Sequence, residues 1–194
     1  GSSFYDRLTG NSAINVIDGG DGNDIIIGGI GADIINGGAG IDEANYASST
    51  AAVMVNLNLT TAQSGGEAVG DILSSIENVT GSAFNDILTA FECGSTINGG
   101  AGADTINGGT GIDTVSYRGS ITGVTVNLNL TTTQSGGDAA GDKLTSIENV
   151  IGSDYNDTLT ASASGNSLDG GLGNDTIYGG AGNDKLNDGL TGND

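Results

Sequence analysis

Residues 19–45 read GGDGNDIII GGIGADIIN GGAGIDEAN, three blocks of nine that each open on Gly-Gly and carry Asp at the sixth place: Asp24, Asp33 and Asp42. Like charges repel and glycine resists order, so an acid every nine residues in a glycine frame needs a physical reason. The glycines supply backbone with positive φ, which other residues reach only at a cost. The last three residues of a block read as a short strand whose middle residue faces inward. Two blocks then make one coil of a flattened tube, and each block lies over the block two places earlier. Asp24 falls over Asp42, in a stack whose coils are roughly 4.8 Å apart.

The same pattern extends outward in both directions. Strict blocks begin at Gly19, Gly28, Gly37, Gly99, Gly108, Gly170 and Gly179. Blocks that have lost glycines, at 1–9, 10–18, 81–89, 90–98, 152–160 and 161–169, keep the phase. The inward residues recur every nine within each group: Leu8, Ile17, Ile26 and Ile35; Val79, Leu88, Ile97, Ile106 and Val115; Val150, Leu159, Leu168, Ile177 and Leu186. A longer repeat lies over this one. Residues 46–80 match 117–151 at an offset of 71, with 23 identities in 35 positions. The chain is therefore three nonapeptide clusters, 1–45, 81–116 and 152–194, joined by two copies of a spacer, 46–80 and 117–151. Alternation in VMVNLNL and VTVNLNL has the period of a half-buried strand. The expected fold is all-β, one continuous parallel β-roll, or β-solenoid, that runs through the spacers with altered turns.

Composition narrows the partners. Twenty-four acids face four bases (Arg7, Arg118, Lys143 and Lys185), for a net charge of −20. That balance argues against nucleic acid and anionic membranes as partners and for cations. The absence of His excludes imidazole zinc sites and His-based triads. Cys93 is alone, cannot form an internal disulfide, and reads as a small buried or half-buried hydrophobe. No apolar run approaches the roughly 20 residues of a membrane span, and no N-terminal signal peptide is visible.

Stacked carboxylates repel by roughly 1 kcal/mol in water, and by several in the partly screened interior of a protein. A column of them calls for a cation between its members. Glycine-rich turns add backbone carbonyls as neutral oxygens, and a flexible cage of hard oxygens suits Ca²⁺ better than Mg²⁺. The core is thin: each coil buries about two apolar side chains at roughly 2 kcal/mol each, against backbone ordering of roughly 1 kcal/mol or more per residue. The chain is expected to be largely unfolded without the ion, with binding and folding a single event.

These seven strict, in-phase copies resemble the RTX family, the hemolysin-type calcium-binding repeat; this nonapeptide is a known calcium-binding β-helix repeat. The resemblance implies a parallel β-roll with several Ca²⁺ in its turns, roughly five to eight ions. It implies a monomeric segment of a larger bacterial protein, exported unfolded through a type I secretion channel and folding outside the cell or at its surface into a rigid segment. The implied ligands are the sixth-place side chains Asp24, Asp33, Asp42, Asp104, Asp113, Asp175 and Asp184. The implied carbonyls are those of Gly20, Gly22, Gly29, Gly31, Gly38, Gly40, Gly100, Gly102, Gly109, Gly111, Gly171, Gly173, Gly180 and Gly182. Asp86 and Asp157 keep the acid without the glycines and are expected to bind as well. Asn15, Ser95 and Asn166 stand where Asp belongs, so their sites are expected to be weak or absent. At the C-terminus the repeat slips by one residue, which puts Asp194 off the pattern.

Acids outside the blocks read differently. Glu77 and Glu148, in IENV, read as outward strand residues; Asp71 and Asp142 read as local turn residues; Tyr46 and Tyr117 read as covers over the roll. Catalysis is not expected, because a catalytic site is a singular constellation and these acids repeat identically. A targeting or stabilising module of a secreted enzyme (protease, lipase or epimerase) and an ice- or surface-binding solenoid are the alternatives.

Overall fold

The computed structural model describes residues 1–189; Asp194 lies outside them. The chain forms a parallel β-roll. One sheet of nine parallel strands runs the length of the described residues: Arg7–Thr9, Ile25–Ile27, Glu43–Asn45, Asn78–Thr80, Thr96–Asn98, Thr114–Ser116, Asn149–Ile151, Ser167–Asp169 and Lys185–Asn187. The intervening strands form the other face as three shorter sheets. The first holds Val16–Asp21, Ile34–Ala39 and Ile72–Ser74; the second holds Met54–Asn56, Ile87–Thr89, Thr105–Asn107 and Lys143–Thr145; the third holds Thr125–Asn127, Thr158–Thr160 and Thr176–Tyr178.

Register follows the repeat. Arg7, Leu8 and Thr9 pair with Ile25, Ile26 and Ile27, eighteen residues on. Most strands are three residues long because only three of nine positions are free of turn constraints. Their middle residues alternate between the two faces and meet inside. Ile26, Ala44, Leu88, Ile97, Ile106, Val115, Leu159 and Leu168 are fully buried. The ends of the ladder are less enclosed: Leu8, Ile17 and Ile177 are half-buried and Leu186 is exposed. Since the core is one side chain wide, a cavity within it has few neighbours able to fill it. Ile97→Ala, in the middle of the nine-stranded sheet, is expected to cost about 3 kcal/mol in urea unfolding at saturating calcium. A loss below about 1 kcal/mol would mean that the core is less continuous than described.

The spacers continue the pairing, but not as a run of altered nonapeptides. Glu43–Asn45 pairs directly with Asn78–Thr80, so the nine-stranded sheet crosses the spacer unbroken. On the other face the chain first lays Met54–Asn56 against Ile87–Thr89, ahead of its place in sequence. It then doubles back past Met54 through an antiparallel bridge at Ser64. A 3₁₀ turn at Gly66–Ala68 leads into Ile72–Ser74, which pairs with Ile34–Ala39. The second copy repeats this with the Thr125–Ser135 bridge and the Gly137–Ala139 turn. Each reversal interrupts the second face, which is why that face is three sheets. Buried Gln63 closes the interruption: its side-chain oxygen accepts from the Asn56 amide at 2.9 Å and its nitrogen donates to the Asn56 carbonyl at 3.2 Å, as a neighbouring strand would. Gln134 does the same for Asn127.

Cys93 is exposed, contrary to its reading as a buried hydrophobe. It stands fourth in the block 90–98, at the turn, where side chains leave the roll.

Candidate metal centre

Each sixth-place acid stands at a turn, two residues ahead of the middle residue of a strand, and reaches along the stack. One carboxylate oxygen, Oδ1, accepts the backbone N–H of the equivalent residue one coil earlier. Asp24 accepts from Asp6 at 2.8 Å, Asp33 from Asn15 at 2.7 Å, Asp42 from Asp24 at 2.7 Å and Asp113 from Ser95 at 2.7 Å. Asp104 accepts from Asp86 at 2.8 Å, Asp175 from Asp157 at 2.9 Å and Asp184 from Asn166 at 2.9 Å. These charge-assisted bonds tie coil to coil along both edges of the roll.

The ladders pass through the spacers by way of acids that read otherwise in the sequence. Glu77 and Glu148 do not simply face outward: their carboxylates accept the Asp42 and Asp113 amides, both at 2.9 Å. The longer side chain of Glu fills the rung usually held by Asp. Asp71 and Asp142 are rungs too, each wholly buried and accepting the Asp33 and Asp104 amides at 2.8 Å. A signal for all four was available. Glu77, Asp71, Glu148 and Asp142 each stand two residues before a buried strand residue (Val79, Leu73, Val150 and Leu144), the spacing of Asp24 to Ile26.

The second oxygen distinguishes the strict blocks. Oδ2 of Asp24, Asp33, Asp42, Asp104 and Asp113 is buried and has no hydrogen-bond partner in the protein. An unsatisfied buried polar atom costs about 1–3 kcal/mol, and more when charged. Burial is the main cause that raises the Asp104 carboxyl to about 8, with further upward pressure from Asp142, Asp86 and Asp138. Burial likewise raises Asp42 and Asp113.

What surrounds that oxygen fits a hard cation. All fourteen glycines at the second and fourth places of the strict blocks have positive φ, from 70° at Gly180 to 150° at Gly31. At most of these positions this conformation leaves no space for a side chain between coils; Gly109 and Gly180 are the open exceptions. A Cβ on Gly19 would lie 2.5 Å from Asp24 Oδ2, and one on Gly28 would lie 2.6 Å from Asp33 Oδ2. A Cβ on Gly29 would lie 2.7 Å from the Asn11 carbonyl, and one on Gly102 would lie 2.7 Å from that of Phe84. In most turns, carbonyls of the second and fourth residues thus face the glycines of the next coil, as Gly20 and Gly22 face Gly38 and Gly40. Among the described residues no three acids, cysteines or histidines gather at one point. An ion here would take one or two carboxylate oxygens and complete its shell from backbone carbonyls, a donor set that suits Ca²⁺.

Tyrosines close the spacer rungs instead. Tyr46 and Tyr117 are buried, not covers over the roll, and donate their hydroxyls to Oδ2 of Asp71 at 3.0 Å and of Asp142 at 2.9 Å. Burial raises both Asp71 and Asp142 to about 6, although the amide and hydroxyl bonds they accept pull them down. Tyr117→Phe strands the Asp142 oxygen in the core. It is expected to cost about 1–3 kcal/mol by urea unfolding in calcium, whereas an unchanged midpoint would remove the hydroxyl's assigned role.

Comparison with known families agrees with this geometry. A family model described as the RTX calcium-binding nonapeptide repeat matches four copies, over residues 9–44, 95–115 and 151–186. No curated protein matches the chain.

Proposed function

From the chain's membership of the RTX calcium-binding nonapeptide-repeat family, we propose that it is a module whose folding is driven by several calcium ions outside the cell. Seven ions are assigned, one to each strict acid: Asp24, Asp33, Asp42, Asp104, Asp113, Asp175 and Asp184. The carbonyls of the glycines at the second and fourth places complete each shell. In a calcium-poor cytosol the chain stays largely unfolded and passes through a type I secretion channel. Millimolar calcium outside then folds it into a rigid segment of a larger protein, with no chemistry of its own.

The observation that carries this reading is the row of buried carboxylate oxygens without a protein partner. Such a row is costly in an ion-free roll and is relieved by a divalent cation between the turns. Circular dichroism in excess calcium and in excess EDTA tests it. Strand signal in calcium and its loss in EDTA are expected; full strand signal in chelator would contradict calcium-driven folding. A hydrolase assay on the isolated chain is expected to be blank.

A further inference from the structure

The degenerate blocks treat their sixth residue differently from the strict ones, and the difference starts at place two. In the strict blocks this residue is a glycine with positive φ. In the degenerate blocks it is Ser2, Asn11, Ser82, Phe91, Ser153 or Ser162, none of which has positive φ. Without that conformation the peptide turns over, and its N–H points at the sixth side chain. Ser82 donates its amide to Asp86 Oδ2 at 2.5 Å, and Ser153 donates to Asp157 Oδ2 at 2.6 Å. Their hydroxyls donate to the other oxygen, Oδ1, at 2.8 Å in both cases. The same amide bond recurs from Asn11 to Asn15 at 2.7 Å, Phe91 to Ser95 at 2.9 Å and Ser162 to Asn166 at 2.8 Å, and from Ser2 to Asp6.

We infer that the residue at place two decides whether a turn takes calcium: glycine leaves the acid's second oxygen to the ion, and any other residue closes the turn on its own amide. On this basis Asp86 and Asp157, which the sequence marks as ligands, hold no ion. Their oxygens already have donors, and a donor N–H occupies the direction from which a cation would approach. Asn15, Ser95 and Asn166 are not merely weakened sites. They are the same closed turn with a neutral acceptor, which explains why an acid is not needed there. Each cluster therefore opens with two self-closed blocks, one full coil, and continues with blocks that require the ion.

This inference rests on the calcium reading above and is tested by counting ions. Ser82→Gly with Phe84→Gly turns residues 81–86 into the strict pattern, and Ser153→Gly with Tyr155→Gly does so at 152–157. Phe84 and Tyr155 are exposed, so their loss leaves the core intact. Equilibrium dialysis with metal analysis is expected to give seven calcium ions per wild-type chain by the assignment above, eight after either conversion and nine after both. The reverse change, Gly100→Ser, beside the unpartnered Asp104 oxygen, is expected to give six. If wild type binds its ions and both conversions leave the count unchanged, the role of place two is overturned while the calcium reading stands. A wild-type chain that takes up no calcium overturns both. Should Gly100→Ser fail to fold, the two conversions decide the matter.

Discussion

Gly38→Ala is expected to destabilise the calcium-bound roll by about 3 kcal/mol or more and to remove one bound ion. Two costs add. Gly38 has a φ of 106°, a region that a residue with a Cβ enters only under strain. A Cβ there would also press on the carbonyl oxygen of Gly20 and come within 2.9 Å of its carbon and 3.0 Å of its nitrogen. All three are backbone atoms of the coil below, held in the ladder by the Gly20–Gly38 register, so no side-chain rotation relieves the clash. Either the coils separate or the Gly38 peptide turns over and closes on Asp42. Both outcomes lose the ion. Gly119→Ala is the control, because a Cβ there meets nothing and φ is not positive. The measurement is urea unfolding at saturating calcium together with an ion count. Equal stability of the two variants would show that the glycine frame is not what shapes the site.

In chelator, lowering the pH from about 8.5 to about 4.5 is expected to raise the folded fraction, whereas in calcium the same change is expected to lower it. The first half follows from the raised carboxyls. Asp104 sits at about 8, and Asp71 and Asp142 at about 6, against an unfolded value of 3.8. A group whose proton affinity is higher in the folded state stabilises that state when protonated. That contribution is complete below the unfolded value and is lost as pH rises through 6 and then 8. A tenfold change in proton affinity is worth about 1.4 kcal/mol, so these acids alone can shift the folded fraction by more than tenfold. In calcium the proton competes with the ion for Asp104, and acid removes the stronger ligand. Parallel circular dichroism titrations in EDTA and in calcium check the prediction. A folded fraction in EDTA that falls on acidification would contradict it.

The nonapeptide phase was enough to place Ile26, Ile97 and Leu168 inside and to pair strands eighteen residues apart, because turn and strand are both local consequences of the block. The positive φ of the glycines at places two and four was legible for the same reason. The spacer path was not. Whether Met54–Asn56 pairs forward with Ile87–Thr89 depends on the antiparallel return at Ser64 and on the side chain of Gln63, which are tertiary choices without a period. Glu77 and Asp71 stand outside any glycine frame, so only their spacing to Val79 and Leu73 marks them as rungs. The closed turns at Ser82 and Ser153 were hidden for a different reason. The sequence shows that an acid is present, but which way a peptide faces emerges only when the amide meets the carboxylate.

Anomalous-difference maps from crystals grown in calcium are the most direct measurement. Peaks beside Oδ2 of Asp24, Asp33, Asp42, Asp104 and Asp113, bounded by carbonyls of the glycine turns, are the predicted result. Turns free of density, or these carboxylates turned outward to water, would mean that something other than divalent ions reconciles the stacked acids.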